Sequence, residues 1–258
     1  MSETHTVAFG DVEIEVLVDG TGPAVVLLPS LGRDSYEFDP IAADLAAAGF
    51  RAIRPQPRGV GTSRGPLDDL DLHDLARDVA EVIERLAAGP AVLGGHAFGH
   101  YVARVLATDR PDLVRGVAIL AAGARRFPES LTERVAKCSD LTLPDSERLE
   151  HLRAVFFADG HDPSVWLDGW WPEAIVAQRR AMAATDKESW WPFAPSPLLD
   201  LQAGDDVFRP APTRAELTEE FGADRVTVVL IPGAGHALIP EVPHEVADAL
   251  VGWAGTLP

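Results

Sequence analysis

The segment Gly95-His96-Ala97-Phe98-Gly99 carries both glycines of the G-x-S-x-G turn known as the nucleophile elbow, with Ala97 where a serine, cysteine or aspartate would stand. The turn passes from strand to helix so sharply that side chains at the glycine positions would strike neighbouring backbone. Its central residue is the one that attacks a carbonyl carbon. A methyl group can neither attack nor donate a hydrogen bond, so no acyl-enzyme forms on residue 97. Chemistry at this turn must come from a base acting on water, or on the substrate itself.

Other residue types narrow the field. Cys138 is the single cysteine and lies in Lys137-Cys138-Ser139-Asp140, away from the elbow. With no intrachain disulfide possible, a reducing, cytoplasmic setting is expected and Cys138 reads as structural. His161-Asp162 and His244-Glu245 are isolated, so no metal site is expected, and no G-x-G-x-x-G opens a helix to hold a nucleotide. The reading therefore expects no cofactor. A formal charge of -18, from 40 acidic against 22 basic residues, repels phosphate backbones and anionic lipid. No nucleic-acid or membrane partner is expected. The first residues, Met1-Ser2-Glu3-Thr4-His5-Thr6, lack a leader pattern, and no stretch approaches the ~18 apolar residues of a membrane span. What remains is a small-molecule substrate or ligand, bound by a monomer or homodimer.

The elements around the elbow alternate. Val12, Ile14, Val16 and Val18 predict an antiparallel edge strand, and Ala24-Val25-Val26-Leu27-Leu28 a buried parallel one. Helices are predicted near 40–48 and 69–87, the second with Leu75, Val79, Val82, Ile83 and Leu86 on one face. Arg51–Arg54, the run ending at Leu93, Val117–Leu120, Leu198–Leu201 and Val226–Ile231 are further strands, and a last helix covers about 243–253. Strands alternating with helices imply an α/β, doubly wound, mostly parallel sheet covered on both faces. The alternation lapses between 124 and 197.

Four segments in this order resemble the α/β-hydrolase superfamily: Pro29-Ser30-Leu31-Gly32 at the oxyanion loop, Arg58-Gly59-Val60-Gly61-Thr62-Ser63 at the R-G-x-G-x-S turn, the elbow, and Gly233-Ala234-Gly235-His236 at the histidine loop. The resemblance implies an α/β-hydrolase fold with a core of residues 1–123 and 197–258 and a helical cap over 124–196. It implies a catalytic His236 and an acid in Ala203-Gly204-Asp205-Asp206-Val207, where Asp206 is favoured and Asp205 is the alternative. The oxyanion donors would be the backbone N–H groups of Leu31 (or Ser30) and Phe98, which survive any change at Ala97. Pro29 and Ser30 replace the usual His-Gly of that loop.

Five of the six tryptophans, Trp166, Trp170, Trp171, Trp190 and Trp191, fall in the expected cap together with Phe156, Phe157 and Phe193. Their clustering suggests an apolar substrate pocket. Polar partners near position 97 would be His96, Ser30 or Tyr36; His100, one turn into the helix, is expected to point away. Members of the superfamily include cofactor-free dioxygenases and lyases in which a His–Asp pair carries the chemistry. The resemblance thus implies hydrolase- or lyase-type chemistry by an Asp206–His236 general base, with no covalent nucleophile. Two alternatives are a non-catalytic, receptor-like ligand binder and a serine hydrolase carrying a Ser-to-Ala change at 97. The Gly-His-Ala-Phe-Gly elbow resembles that of a natural subgroup, which favours a genuine alanine.

Overall fold

The computed structural model describes residues 2–191 and 196–258. Its strands are β1 (Glu3–Phe9), β2 (Val12–Asp19), β3 (Ala24–Leu28), β4 (Arg51–Pro55), β5 (Ala91–His96), β6 (Val114–Leu120), β7 (Leu198–Ala203) and β8 (Val226–Ile231). They form one sheet in the order β1-β2-β4-β3-β5-β6-β7-β8. β1 pairs antiparallel with β2, and β2 with β4; every later pairing is parallel. The helices are α1 (Asp39–Ala47), α2 (Leu72–Leu86), α3 (Gly99–Asp109), α4 (Glu129–Cys138), α5 (Asp145–Val155), α6 (Pro172–Ala184), α7 (Lys187–Trp190), α8 (Glu216–Phe221), α9 (Leu238–Glu241) and α10 (Pro243–Ala254).

The sheet is covered on both faces, as its continuous apolar strands require. Leu75, Val79 and Val82 of α2 share one core cluster with Val102, Val105 and Leu106 of α3. Ile41 and Leu45 of α1 share another with Val246, Leu250 and Trp253 of α10. Helices α4 to α7 all lie between β6 and β7 in the chain. Leu152, Val155 and Phe156 of that segment join Trp166, Trp170 and Ile175 in a third cluster, which also takes in Phe208 and Ala237.

Four elements differ from the sequence reading. β2 is not the edge: β1 pairs along its whole length and takes that place. Glu15 of β2 is buried because its carboxylate accepts from the N–H and hydroxyl of Thr62, and its own N–H donates to the Ser63 hydroxyl. Helix α2 begins at Leu72, not 69, because Asp71 and Asp74 cap each other's backbone N–H in a reciprocal box and Asp69 has a left-handed φ of 57°. The short α8 and α9 have no counterpart in the sequence reading.

The elbow rests on backbone contact. A Cβ on Gly95 would stand 2.5 Å from the Gly99 carbonyl carbon and the His100 nitrogen, and one on Gly99 would stand 2.3 Å from the Leu28 oxygen. Gly95→Ala is therefore expected to destabilise the fold by roughly 1–3 kcal/mol. The Cβ of Gly252→Ala, on the exposed side of α10, meets nothing within 4 Å and should stabilise by about 0.5–1 kcal/mol. Urea denaturation measures both; a neutral Gly95→Ala would contradict the contact.

Candidate active site

The carboxyl ends of β3, β5, β7 and β8 bring the predicted residues to one side of the sheet, the usual place for a site in such folds. β5 runs into the elbow, where Ala97 has a left-handed φ of 44°. The Ala97 N–H donates to the Leu120 carbonyl at 3.0 Å, and the His100 N–H donates to the Ala97 carbonyl at 3.1 Å. A non-glycine residue in that conformation is strained, and these backbone bonds hold it there.

Beyond β7, Asp206 is buried and reaches the histidine loop. Its Oδ2 accepts from His236 Nδ1 at 2.8 Å, and its Oδ1 accepts from the Phe208 N–H at 2.8 Å. Asp205 is exposed, and its N–H serves the Ala234 carbonyl at 2.8 Å. A carboxylate only accepts, so the His236 proton sits on Nδ1 and the Nε2 lone pair stays free to act as a base. The ring packs 4.4 Å from Phe208 and 5.6 Å from Phe156, centroid to centroid. Glu241 locks the loop from below, accepting from the N–H of Gly235 and, at 2.6 Å, from that of Ala158. The Ala237 N–H donates to the Phe156 carbonyl at 2.7 Å, so the histidine loop and the end of α5 are joined.

The oxyanion loop is built as closely. Neither Leu31 nor Phe98 gives its backbone N–H to an acceptor among the described residues. Gln178 of α6 accepts the neighbouring Gly32 N–H at 2.7 Å, and the Gly32 carbonyl accepts from the Trp171 N–H at 3.0 Å. Gly32 itself has a φ of 66°, and a Cβ there would lie 2.0 Å from Ile175 of the same helix. Gln178 was missed in the sequence, although its signal was present: it stands on the face of α6 that buries Ala174, Ile175, Ala177 and Ala181.

These parts enclose a cavity of about 120 Å³ lined by Ser30, Leu31, Ala97, Phe98, Trp170 and His236, with Phe156 and Phe208 among its apolar walls. Of the other residues expected to touch substrate, none lines it. His96 is fully buried and donates from Nε2 to the His236 carbonyl at 2.8 Å, with Nδ1 facing the Glu37 carboxylate 3.6 Å away. Tyr36 is half exposed, and its hydroxyl donates to Glu15. Trp166 lies behind Trp170 at 5.9 Å, its ring 4.9 Å from the Arg33 guanidinium. Trp171 donates to Asp34. Trp190 stands edge-on to Tyr101 at 4.9 Å, and Trp191 donates to Glu220 and lies 3.9 Å from the Arg104 guanidinium. These indoles brace the walls: Trp171 and Trp191 spend their N–H groups on carboxylates, and Trp166 and Trp190 pack by their faces and edges against neighbouring rings. Phe193, with the rest of 192–195, lies outside the described residues.

His100 corrects the expectation in the other direction. It lines the cavity beside Tyr101, whose ring is 4.3 Å away. Burial, reinforced by the Arg104 charge, holds its imidazole well below the usual 6.5. Cys138 is buried and its thiol is pushed up to about 12 by burial, which leaves it inert at neutral pH. Among the described residues no group of histidines, cysteines and acids could hold a metal ion, and no helix is long and apolar enough to cross a membrane.

The His100 shift sets a pH dependence. The folded state keeps this imidazole neutral, whereas the unfolded chain binds a proton below about 6.5. Its effect is thus absent above that pH and opposes folding below it, by up to about 1.4 kcal/mol per pH unit. Urea midpoints measured between roughly pH 7 and pH 5.5 should fall less steeply for His100→Phe than for the parent chain. Identical slopes would contradict a neutral, buried His100.

Comparison with known proteins agrees with this architecture. A family described as alpha/beta hydrolase fold matches residues 23–173, more than half of the chain. A 2-(acetamidomethylene)succinate hydrolase of Mesorhizobium japonicum is 27% identical over 262 residues, covering 94% of this chain and 91% of its own. An esterase from Thermogutta terrifontis, solved with malate bound, has a TM-score of 0.79 at 24% identity and covers 99% of this chain and 98% of its own. The esterase EaEST of Exiguobacterium antarcticum has a TM-score of 0.80 at 22% identity, covering 99% of this chain and 100% of its own. With the eight-stranded sheet, the elbow turn and the family match in agreement, the chain belongs to the alpha/beta hydrolase fold family.

Proposed function

We propose that this protein is an enzyme that cleaves a small, largely apolar carbonyl compound by general-base catalysis, with hydrolysis as the principal reaction. The observation that carries the reading is the 2.8 Å Asp206–His236 bond beside a cavity whose floor is the methyl of Ala97. An oriented imidazole with a free Nε2 is of use to a catalyst and of none to a passive ligand pocket. Relatives named as hydrolases and esterases support the same class.

In the proposed reaction a water occupies the space a nucleophilic oxygen would fill. His236 Nε2 takes one proton from it, and the oxygen bonds to the substrate carbonyl carbon. Asp206 keeps Nδ1 protonated and stabilises the imidazolium so formed. The N–H groups of Leu31 and Phe98 receive the charge that develops on the carbonyl oxygen. When the carbonyl re-forms, the bond to the leaving group breaks, and the imidazolium returns its proton to that group. Substrates with an acidic C–H could instead lose that proton to Nε2 directly, which is the lyase-type variant of the same base. Helices α4 to α7 serve as the cap that walls off bulk water, and Gln178 fixes the oxyanion loop from that cap.

His236→Ala should abolish turnover in a screen of esters, lactones and β-diketones while leaving the unfolding transition in place. Full activity in that variant would remove the base from the mechanism. Restoring the oxygen by Ala97→Ser should raise hydrolysis of activated esters by at least ~100-fold, since a triad nucleophile is worth about a million-fold in kcat. A silent Ala97→Ser protein would mean that the oxyanion hole or the dyad is out of place. Separately, Gln178→Ala should cost about 10–100-fold in kcat with KM little changed, because a loosened oxyanion donor acts on the transition state. A change confined to KM would assign Gln178 to substrate binding instead.

A further inference from the structure

Of the polar side chains in the cavity that the catalytic scheme does not use, His100 is the imidazole. His100 is 3% exposed and lines the cavity, its Nδ1 is buried with no hydrogen-bond partner, and no hydrogen bond joins its Nε2 to another described residue. A neutral imidazole carries one donor and one acceptor, and leaving them dry is unfavourable. Buried polar groups without partners are uncommon and call for a ligand or another explanation. Its place in the fold is informative as well. The His100 N–H bonds the Ala97 carbonyl, so His100 stands one turn past the floor of the site.

The charge inventory of the cavity is equally specific. Besides His100 and His236, its polar side chains among the described residues are Ser30 and Tyr101, and no described lysine, arginine, aspartate or glutamate lines it. The residues 192–195, Pro-Phe-Ala-Pro, contain no ionisable side chain either. The nearby cations outside the lining have partners of their own: Arg104 donates to the Trp191 carbonyl and Lys187 to the Arg125 carbonyl. Arg33 is held by the Asp168 carbonyl and the Glu37 carboxylate, behind the rings of Trp166 and Trp170. Arg209 is paired with Asp200 at 3.1 Å. A carboxylate entering this cavity would lose its hydration with no charged side chain in the described lining to pair with it. The cavity, at about 120 Å³, is close to the ~150 Å³ that accommodates one benzene ring.

We propose that His100 selects an uncharged carbonyl compound about one ring in size, bearing a second hydrogen-bonding group roughly one helical turn from the reacting carbonyl. The proposal names the substrate class of the site described above and rests on that cavity being the substrate site. It does not depend on turnover. His100 acts here as a specificity determinant, and proton transfer stays with His236.

Binding of three ketones that the site cannot hydrolyse tests it, by calorimetry on the full chain: acetophenone, meta-hydroxyacetophenone and meta-acetylbenzoate. The hydroxyl compound should bind about tenfold more tightly than acetophenone, and the carboxylate more weakly than either. His100→Leu should erase the hydroxyl preference while keeping the affinity for acetophenone; His100→Gln should retain most of it. Carboxylate binding equal to that of the hydroxyl compound would overturn the proposal, as would a hydroxyl preference that survives His100→Leu, or no binding by any of the three. The series on the unchanged chain remains decisive if a variant does not fold. Failure of the general-base mechanism would leave these affinities as stated, so the two proposals fail separately.

Discussion

The closeness of two backbones governs this molecule. At the end of β5 the chain turns back on itself tightly enough that Gly95 and Gly99 leave no room for even a methyl group. That approach pushes residue 97 into a left-handed φ and points it at the cavity. It also aims the Phe98 N–H away from any protein acceptor among the described residues. Whatever stands at residue 97, the turn delivers a positioned backbone donor. The oxyanion donor proposed here is therefore independent of the side chain at residue 97.

The second unit is the joint between the sheet and the helices inserted after β6. The oxyanion loop receives Gln178 and Trp171 from α6 and its preceding residue, and the histidine loop is tied to the end of α5 by Glu241 and the Phe156 carbonyl. Burial raises the Glu241 carboxyl, while the two N–H groups it accepts from pull it down. Both loops that would meet the substrate are thus shaped by the inserted segment as well as by the sheet. The same packing accounts for the tryptophans: Trp166, Trp190 and Trp191 brace walls, and Trp170 alone of the five lines the cavity.

Legibility in the sequence followed the range of the interactions. The elbow glycines and the continuous apolar strands encode local backbone demands, so their order along the chain was enough to place Ala97, Asp206 and His236 on one side of the sheet. Sequence register left Asp205 and Asp206 both open; in the fold Asp206 is the buried one that bonds His236. Tertiary partners were not legible. His96 looked available because its neighbours in sequence are the elbow, but its ring is spent on the His236 carbonyl. Tyr36 looked close to the oxyanion loop, yet a turn directs it to Glu15. Glu241 is far from the motifs in sequence and acts through backbone N–H groups, which no side-chain pattern reveals, whereas Gln178 shows only as a polar residue on an apolar helix face. β1 escaped notice because polar side chains dominate its exposed edge.

The central claim is that the His236 imidazole is held with its proton on Nδ1 and its lone pair on Nε2 open to the cavity. Nitrogen NMR of the labelled imidazole at neutral pH reads this directly. The account predicts a protonated Nδ1 with a proton signal far downfield, an unprotonated Nε2, and loss of that downfield signal in Asp206→Asn. A proton residing on Nε2, or a spectrum indifferent to the loss of the Asp206 carboxylate, would contradict it.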